Sequence, residues 1–464
     1  MTGQPPTRGD GVVPEDDRTS SAEVVSPDDK SALDRPLETE PEESAGETEE
    51  RIQTATTGSM TISTGDQEDQ LILDSEERAA ALAHLASLEF GERLPPGETL
   101  LEVIDLQKWF PIRAGFIRHT VAHVKAVDGL NFSVEKGETF AIVGESGCGK
   151  STTGRAILQL EKPTGGQVIF NHATLGKIDL VQASRKDLKT IRPNMQIIFQ
   201  DPFSSLDGRM TVGRIIAEPL VINSNIKGRA LKDRIAELLT VVGMRPEHAS
   251  RYPHAFSGGQ RQRLGIARAL ALNPEMIICD EAVSSLDVSV QAQVLNLLEK
   301  LQSELGLTYI FISHDLSVVE HISDHVAVMY VGKIAEIART ADLFKRPRHP
   351  YSEALLSAVP KPDPKNRSEP KILVGDVPSP ANPPPGCYFH TRCPYAQDIC
   401  KTDSPPLRDL GDGHMAACHF AEELQLEGVT AVAAMDFDVP TRPAPGSLAA
   451  NRRELAGSSR RASG

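Results

Sequence analysis

The stretch that decides the fold reads Gly144-Glu145-Ser146-Gly147-Cys148-Gly149-Lys150-Ser151-Thr152. It follows the apolar run 140–143, which predicts a buried β-strand, and precedes the helix-compatible segment 153–160. Its glycines let backbone N–H groups approach an anion, and the start of a helix directs positive charge at the same point. Lys150 adds a cation, and the hydroxyl of Ser151 can ligate magnesium. The stretch therefore predicts a loop that cradles the phosphates of a nucleotide.

Charge is distributed unevenly along the chain. The protein has 464 residues and a net charge of −15. Residues 1–100 hold 24 acidic and seven basic side chains, a net charge of −17, so the rest of the chain carries +2. Residues 1–98 are predicted to be a mostly disordered acidic extension, with one candidate helix at 75–90 where leucines recur. The nearly neutral body argues against tight binding of a nucleic-acid backbone.

The sequence also predicts where in the cell the chain is located. It contains no apolar run of about 18 residues and no secretory signal pattern, so we expect no membrane-spanning helix and a cytosolic chain. The six cysteines are then predicted to be thiols or metal ligands rather than disulfides. Cys148 and Cys279 fit as small packing residues within the loop and a strand.

Two aromatic residues and one glutamine lie beside other predicted strands. Residues 100–106 and 130–134 are predicted strands joined by 109–128, where Trp109 or Phe110 could stack on a base. The alternative is that both aromatic side chains simply bury area, and the residues alone favour neither interpretation. Gln200 ends a predicted strand over 195–200. It is either only the last residue of the strand or a sensor whose amide ligates magnesium and a water molecule.

A second glycine-rich segment opens a predicted helix and reads Ser257-Gly258-Gly259-Gln260. The exposed N–H groups of such a helix start favour a second anion site. The alternative is a basic helix face that is solvated or touches nucleic acid.

Two carboxylates end the short apolar strand 276–279. Asp280 and Glu281 suit a pair in which one holds magnesium and the other polarises a water molecule. The turn 285–287, which ends at Asp287, leads into a predicted helix over 288–306. His314 follows the next predicted strand, 34 residues after Asp280, so we expect the two to lie side by side on a parallel sheet. His314 could then contact the γ-phosphate.

Together these segments resemble the six motifs of ABC-type ATPases. The Walker A loop, Q-loop, signature, Walker B strand, D-loop and H-switch match Gly144 to Ser151, Gln200, Ser257 to Gln260, 277–281, 285–287 and His314. The resemblance covers about residues 100–345. It implies an α/β P-loop ATPase domain over 99–345, with a RecA-like core, an antiparallel β subdomain and a helical subdomain.

The resemblance also implies roles for residues. Glu281, His314 and Gln200 would be catalytic, while Ser151, Gln200 and Asp280 would hold Mg²⁺. Two such domains would sandwich two ATP molecules head to tail, so the active unit is expected to be a dimer. The implied ATP contacts are Phe110, in preference to Trp109, the Walker A residues Gly144, Glu145, Ser146, Gly147, Cys148, Gly149, Lys150, Ser151 and Thr152, Gln200, Asp280 and Asp287, and the signature residues Ser257, Gly258, Gly259 and Gln260 on the partner's ATP.

The segments 346–352 and 377–387 resemble the C-terminal extension of ATPase subunits from oligopeptide and dipeptide importers. We therefore expect a module over 346–425 that contains Cys387, Cys393, Cys400 and Cys418, followed by a disordered tail over 426–464. Gaps of 5, 6 and 17 residues between these cysteines match neither zinc-finger nor ferredoxin spacing, so spacing alone names no metal. The resemblance favours a [4Fe-4S] cluster over zinc.

The function implied is ATP hydrolysis that energises uptake of peptides or a related small solute. The implied partners are two integral membrane permeases, a second ABC ATPase subunit in a hetero- or homodimer, and an extracytoplasmic solute-binding protein, with this chain peripheral on the cytoplasmic face of the inner membrane. The alternative is a soluble ABC-type ATPase that acts on nucleic acid or ribosomes. It is disfavoured because Ser257 follows Lys150 by only 107 residues, too few for a long inserted coiled coil. The sequence does not identify the solute.

Overall fold

The computed structural model describes residues 75–87, 93–114, 119–359, 371 and 373–429. The predicted disorder of residues 1–74 and 430–464 lies outside these residues, as do residues 88–90 of the candidate N-terminal helix. No helix in the described part of the chain is long and apolar enough to cross a membrane.

The described residues form two β-sheets. The strands are β1 Thr99–Ala114, β2 His119–Glu135, β3 Thr139–Val143, β4 Gly165–His172, β5 Gly176–Asp179, β6 Met195–Ile198, β7 Met276–Asp280, β8 Thr308–Ile312, β9 His325–Tyr330, β10 Lys333–Arg339, β11 Arg408–Asp409 and β12 Met415–Ala416.

Helices connect and cover the strands. They are α1 Ser75–Ser87, α2 Lys150–Ile157, α3 Arg185–Ile191, α4 Val212–Asn223, α5 Gly228–Val241, α6 Gly258–Leu270, α7 Val288–Leu305, α8 Leu316–Ile322, α9 Thr340–Lys345, α10 Pro350–Ser357 and α11 Asp398–Thr402. Residues 211–243 contain two of these helices, α4 and α5.

The larger sheet has the strand order β11-β12-β10-β9-β3-β8-β7-β6, in which β9, β3, β8, β7 and β6 are parallel. The smaller sheet is antiparallel, in the order β2-β1-β4-β5. Alternate residues of β3, β7 and β8 contribute to two different cores. Ala141 and Ile277 pack with the helical layer, which is formed by α4 to α7. Ile142 and Ile278 pack with α2 and the antiparallel sheet. Period-two alternation along these mainly apolar strands thus builds three layers.

The antiparallel hairpin is longer than predicted. The segment 109–128, which we expected to join two short strands, instead continues both of them as β1 and β2. The register passes from Lys108–Val127 to Trp109–Lys125, so Ala126 is an extra, bulged residue. This bulge matters for the site because it turns the Ala126 carbonyl toward the phosphate loop.

The C-terminal segment, meaning the described residues between 346 and 429, is attached to the edge of the larger sheet. β12 pairs with β10, and the buried Glu336 of β10 accepts hydrogen bonds from the Arg348 N–H (2.7 Å) and from His414 Nε2 (2.6 Å). A carboxylate that is fully removed from water needs such partners. Residues 426–429, which we assigned to a disordered tail, lie against α9, where the Val429 N–H donates to the Phe344 carbonyl at 2.7 Å.

Helix α1 docks on the helical layer. Leu82 and Leu85 are 2% and 1% exposed and belong to the main core, and Arg78 Nε donates to the Val241 carbonyl at 3.0 Å. His84 of α1 contacts Glu237 of α5. The predicted leucine repeat therefore forms the inward face of this helix, and α5 is its main partner.

We predict that Leu85→Ala releases α1 from the body. Removing a buried leucine side chain costs about 2–4 kcal/mol, more than a short docked helix can be expected to tolerate. Hydrogen exchange of α1 amides should therefore accelerate, whereas Ala83→Ser, an exposed position on the same helix, should change it little. Equal protection in the two variants would show that leucine packing does not hold α1.

Candidate functional site

The phosphate loop follows β3 and leads directly into α2. Lys150 is buried, and its Nζ donates to the carbonyl oxygens of Gly144 (2.9 Å) and Glu145 (3.1 Å). These bonds close the loop around the ammonium group. The Glu145 N–H donates to the Tyr351 hydroxyl at 2.9 Å, a contact from beyond the cassette motifs that the sequence did not reveal.

Two glycines of the loop are required by close backbone approach. A Cβ atom on Gly144 would lie 2.2 Å from the Met329 carbonyl oxygen, and one on Gly149 would lie 2.1 Å from the Ala126 oxygen. Gly149 also has φ +109°, a left-handed conformation that favours glycine. Gly147 has φ +79° but faces open space. The loop is therefore clamped between β2 and β9 on two sides and open where Gly147 lies.

Asp280 is almost fully buried beside the start of α2. Its Oδ1 accepts a hydrogen bond from Ser151 Oγ at 2.6 Å, and its Oδ2 has no hydrogen-bond partner in the structure. Arg155, one turn after Ser151, reaches within 3.7 Å of that second oxygen. Burial raises the pKa of Asp280, although the Ser151 hydrogen bond opposes this shift. A buried, unsatisfied carboxylate oxygen beside a serine hydroxyl fits the oxygen ligands that Mg²⁺ prefers.

Glu281 connects the two remaining predicted catalytic residues. Its Oε2 accepts from Gln200 Nε2 at 2.7 Å, and its Oε1 lies 3.4 Å from His314 Nδ1. Glu281 has φ +47°, an uncommon conformation for a residue with a side chain. Its N–H donates to the Ile312 carbonyl at 3.0 Å, which ties this strained residue to the end of β8. Such strain is characteristic of functional sites.

Sheet register explains why these residues meet. Asp280 of β7 is paired with Ile312 of β8, and Ile142 of β3 is paired with the same Ile312. The three strands therefore end at the same edge, and the residues that follow them are brought together. The predicted adjacency of Asp280 and His314 rests on this register.

The signature segment lies at the N-terminus of helix α6. Ser257 caps α6 through a capping box, in which Ser257 Oγ accepts from the Gln260 N–H and Gln260 Oε1 accepts from the Ser257 N–H. A Cβ atom on Gly259 would lie 2.2 Å from Val290 Cγ1, and Gly258 lies near Leu286. The signature thereby lies against the D-loop and the start of α7, where Asp287 occupies the N-cap position without a side-chain capping hydrogen bond. Ser257 itself is exposed.

The two candidate stacking aromatics lie on opposite faces of β1. Trp109 Nε1 donates to Asp128 at 3.1 Å, and Lys125 Nζ lies 4.8 Å from its ring centroid. Phe110 is 36% exposed, with Lys108 Nζ 4.7 Å from its ring centroid. Trp109 is thus committed to internal contacts, and Phe110 keeps a face available for a ligand.

The four C-terminal cysteines line one cavity, together with His349, Phe389 and Tyr395 among others. All six cysteines of the chain carry free thiols. Among the described residues, however, no three His, Cys, Asp or Glu side chains converge closely enough to form a group that could hold a metal ion. The predicted metal centre is therefore not formed as a converged set of ligands, and Cys387, Cys393, Cys400 and Cys418 share only the walls of the cavity.

Comparison with known proteins identifies the family. A family model described as ABC transporter matches residues 127–284, and one described as the C-terminal region of oligopeptide/dipeptide transporters matches residues 335–400. The oligopeptide transport ATP-binding protein AppF of Bacillus subtilis (strain 168) is 53% identical over 324 residues, which cover 69% of this chain and 97% of AppF. The chain belongs to the ABC transporter family.

A second relative agrees with this assignment. The dipeptide transport ATP-binding protein DppF of Escherichia coli (strain K12) is 48% identical over 326 residues, which cover 70% of this chain and 96% of DppF. A solved dimeric ATP-binding cassette in a post-hydrolysis state with ADP and phosphate aligns with a TM-score of 0.46 at 27% identity, covering 52% of this chain and 99% of that one. The predicted relationship to oligopeptide and dipeptide importer ATPases and the ABC ATPase fold are confirmed. The roles of individual residues remain predictions.

We predict that Gly149→Ala destabilises the nucleotide-free subunit more than Gly147→Ala does. Both changes place a Cβ on a left-handed residue, at a cost of about 1–3 kcal/mol, but only the first also collides with the Ala126 carbonyl. Urea denaturation should therefore show a larger loss of unfolding free energy for Gly149→Ala. Equal losses would mean that the approach of the Ala126 bulge does not restrict the loop.

Proposed function

We propose that this chain is the ATP-hydrolysing subunit of an importer that carries peptides or a related small solute across the cytoplasmic membrane. The observation that carries the proposal is the Gln200–Glu281–His314 set beside Asp280 and Ser151, at one edge of the sheet. It is found in a chain about half identical to proteins named for oligopeptide and dipeptide transport. The soluble alternative, action on nucleic acid or ribosomes, has no comparable support.

The geometry supports a division of labour among these residues. Lys150 and the loop N–H groups would bind the phosphates, and Ser151, Asp280 and Gln200 would hold Mg²⁺, which supplies charge neutralisation when bound. Glu281 would accept a proton from the water whose oxygen attacks the γ-phosphorus, as the bond from phosphorus to the ADP oxygen breaks. His314, 3.4 Å from Glu281, would orient that carboxylate and contact the γ-phosphate.

The signature residues require a second subunit in this proposal. Ser257 is exposed at the start of a 13-residue helix, and within the capping box its Oγ accepts from the Gln260 N–H. A helix start of this kind attracts an anion, and Ser257 and Gly259 would meet the ATP held by the partner's Walker A loop. The active unit would be a dimer with a related ATPase or a second copy of this chain.

Membrane association would come through other proteins. Two permeases and an extracytoplasmic solute-binding protein would complete the system, with this chain on the cytoplasmic face of the inner membrane. Apolar side chains exposed on and near the helical layer support a protein contact there, including Phe203 at 60% and Ile222 at 66% exposure.

We also propose that a [4Fe-4S] cluster, rather than a zinc ion, binds at the four C-terminal cysteines. Burial raises the pKa of Cys387, and it raises the pKa of Cys393 to about 12 and that of Cys418 to about 11. Each sulfur is nevertheless hydrogen-bonded by a backbone N–H two residues on, from Phe389, Tyr395 and Phe420 respectively. Desolvated thiols with N–H donors fit thiolates that a metal centre would stabilise. All four cysteines line the same cavity, as the ligands of a single cluster must.

We predict that Glu281→Gln lowers ATP turnover by at least about 100-fold, because glutamine cannot accept the proton. ATP binding should persist, and ATP should trap a dimer with the partner ATPase. Phosphate release and size-exclusion chromatography with ATP measure the two effects. Glu304→Gln, the same change on an exposed residue, is the matched control, and undiminished turnover in Glu281→Gln would reject the assigned base.

For the cysteines, we predict that anaerobically purified protein contains about four iron and four sulfide per chain, with visible absorbance from the cluster. Cys400→Ser should lose both elements, because it removes one of four ligands. Cys279→Ala, in the buried strand β7, should retain them. Zinc in place of iron, or neither metal, would refute the cluster.

A further inference from the structure

A buried arginine of the C-terminal segment forms an ion pair with the Walker A loop. Arg392 NH1 and NH2 donate to the two carboxylate oxygens of Glu145 at 2.8 and 3.1 Å, and the Arg392 side chain is only 8% exposed. Arginine stays protonated in proteins, so this contact is an ion pair. A two-point fork of this kind fixes the orientation of both groups and is not reproduced by lysine.

The negative charge of Glu145 explains why this ion pair would affect the binding of phosphates. Glu145 lies in the loop that would receive a triphosphate, and its own carbonyl accepts from Lys150 Nζ at 3.1 Å. Its carboxylate would repel the incoming phosphates at short range, where charges are incompletely screened. Arg392 offsets that charge. No cassette motif supplies this counter-charge, because Arg392 comes from the segment that carries the cysteines.

Further contacts tie the same segment to the nucleotide side of the cassette. The Tyr351 hydroxyl accepts the Glu145 N–H, and Phe389 packs edge-to-face on Tyr330. Tyr388 donates to Asp128, the residue that also holds Trp109. The C-terminal segment therefore reaches both the phosphate loop and the strand pair that carries Phe110.

We propose that the cysteine-bearing C-terminal segment sets the affinity of this subunit for ATP, with Arg392 as the positioning residue that neutralises and orients Glu145. Cys393 directly follows Arg392 and lines the cysteine cavity, so the state of the cysteines is transmitted to the phosphate loop. The inference rests on the nucleotide site proposed above and adds a control on that site from outside the cassette.

The test is ATP affinity in the full chain, measured with a fluorescent ATP analogue, together with steady-state turnover. Arg392→Ala is expected to weaken binding about tenfold and to raise KM with little change in kcat, because the contact acts on binding rather than on the chemical step. Arg392→Lys should recover only part of the affinity. Lys401→Ala, an exposed ion-pair residue of the same segment, should leave affinity unchanged.

A second substitution separates electrostatics from general damage. If Arg392 acts by offsetting Glu145, then Glu145→Gln placed in the Arg392→Ala background should restore affinity to within about threefold of wild type. A merely structural role for Arg392 predicts no such rescue. Unchanged affinity in Arg392→Ala, or failure of the rescue, would overturn the inference. A wild-type chain that binds no ATP would instead overturn the proposed nucleotide site.

The link to the cysteines has its own readout. Cys393→Ser should weaken ATP binding in the wild-type background and add no further loss in the Arg392→Ala background, because both changes act through the same contact. Unaltered affinity in Cys393→Ser, or additive losses, would show that the cysteine cavity is not coupled to the loop through Arg392.

Discussion

The chemistry of this subunit depends on three parallel strands ending at one edge of the sheet. β3, β7 and β8 are buried along their whole length, and their small polar or charged side chains, Thr139, Thr308 and Asp280, stand at strand ends. The functional side chains lie at or just after the carboxyl ends of these strands. Their alternation between two cores fixes the register, since a one-residue slip would turn every side chain to the opposite face. Apolar packing thereby places Asp280 against Ser151 and Glu281 within reach of His314.

Within the chain, the burial of Asp280 is offset chiefly by the Ser151 hydrogen bond and the more distant Arg155 guanidinium. Asp280 is desolvated, its pKa is raised, and one of its oxygens lacks a hydrogen-bond partner. A carboxylate whose pKa is higher in the folded than in the unfolded state binds protons more readily when folded. Its contribution to stability therefore becomes less favourable as pH rises from the unfolded value toward the raised one. The protein bears this cost at neutral pH, and bound Mg²⁺ would offset it, which couples nucleotide binding to stability.

The sequence predicted those parts of the molecule that local pattern determines. The Walker A loop, the apolar strands and the adjacency of Asp280 and His314 follow from motif and strand order. The length of the β1–β2 hairpin could not be predicted from the sequence, because its outer half, around Arg113 and Val121, is exposed and lacks a buried face. The Arg392–Glu145 pair spans 247 residues of chain, and no local pattern signals a contact at that separation. Likewise, the leucines of α1 indicated a helix, whereas its docking on α5 depends on tertiary contacts.

The capping box at the signature bears on how two subunits could separate after each cycle. Ser257 uses its oxygen to accept the Gln260 N–H, which leaves its O–H free to donate. A phosphate from a partner subunit would therefore add a bond to the Ser257 hydroxyl without breaking the box. Because the capping box stays intact whether or not a partner is present, closure gains only the contacts to ATP. Loss of the γ-phosphate then removes most of what favours closure, as a reversible nucleotide-driven clamp requires.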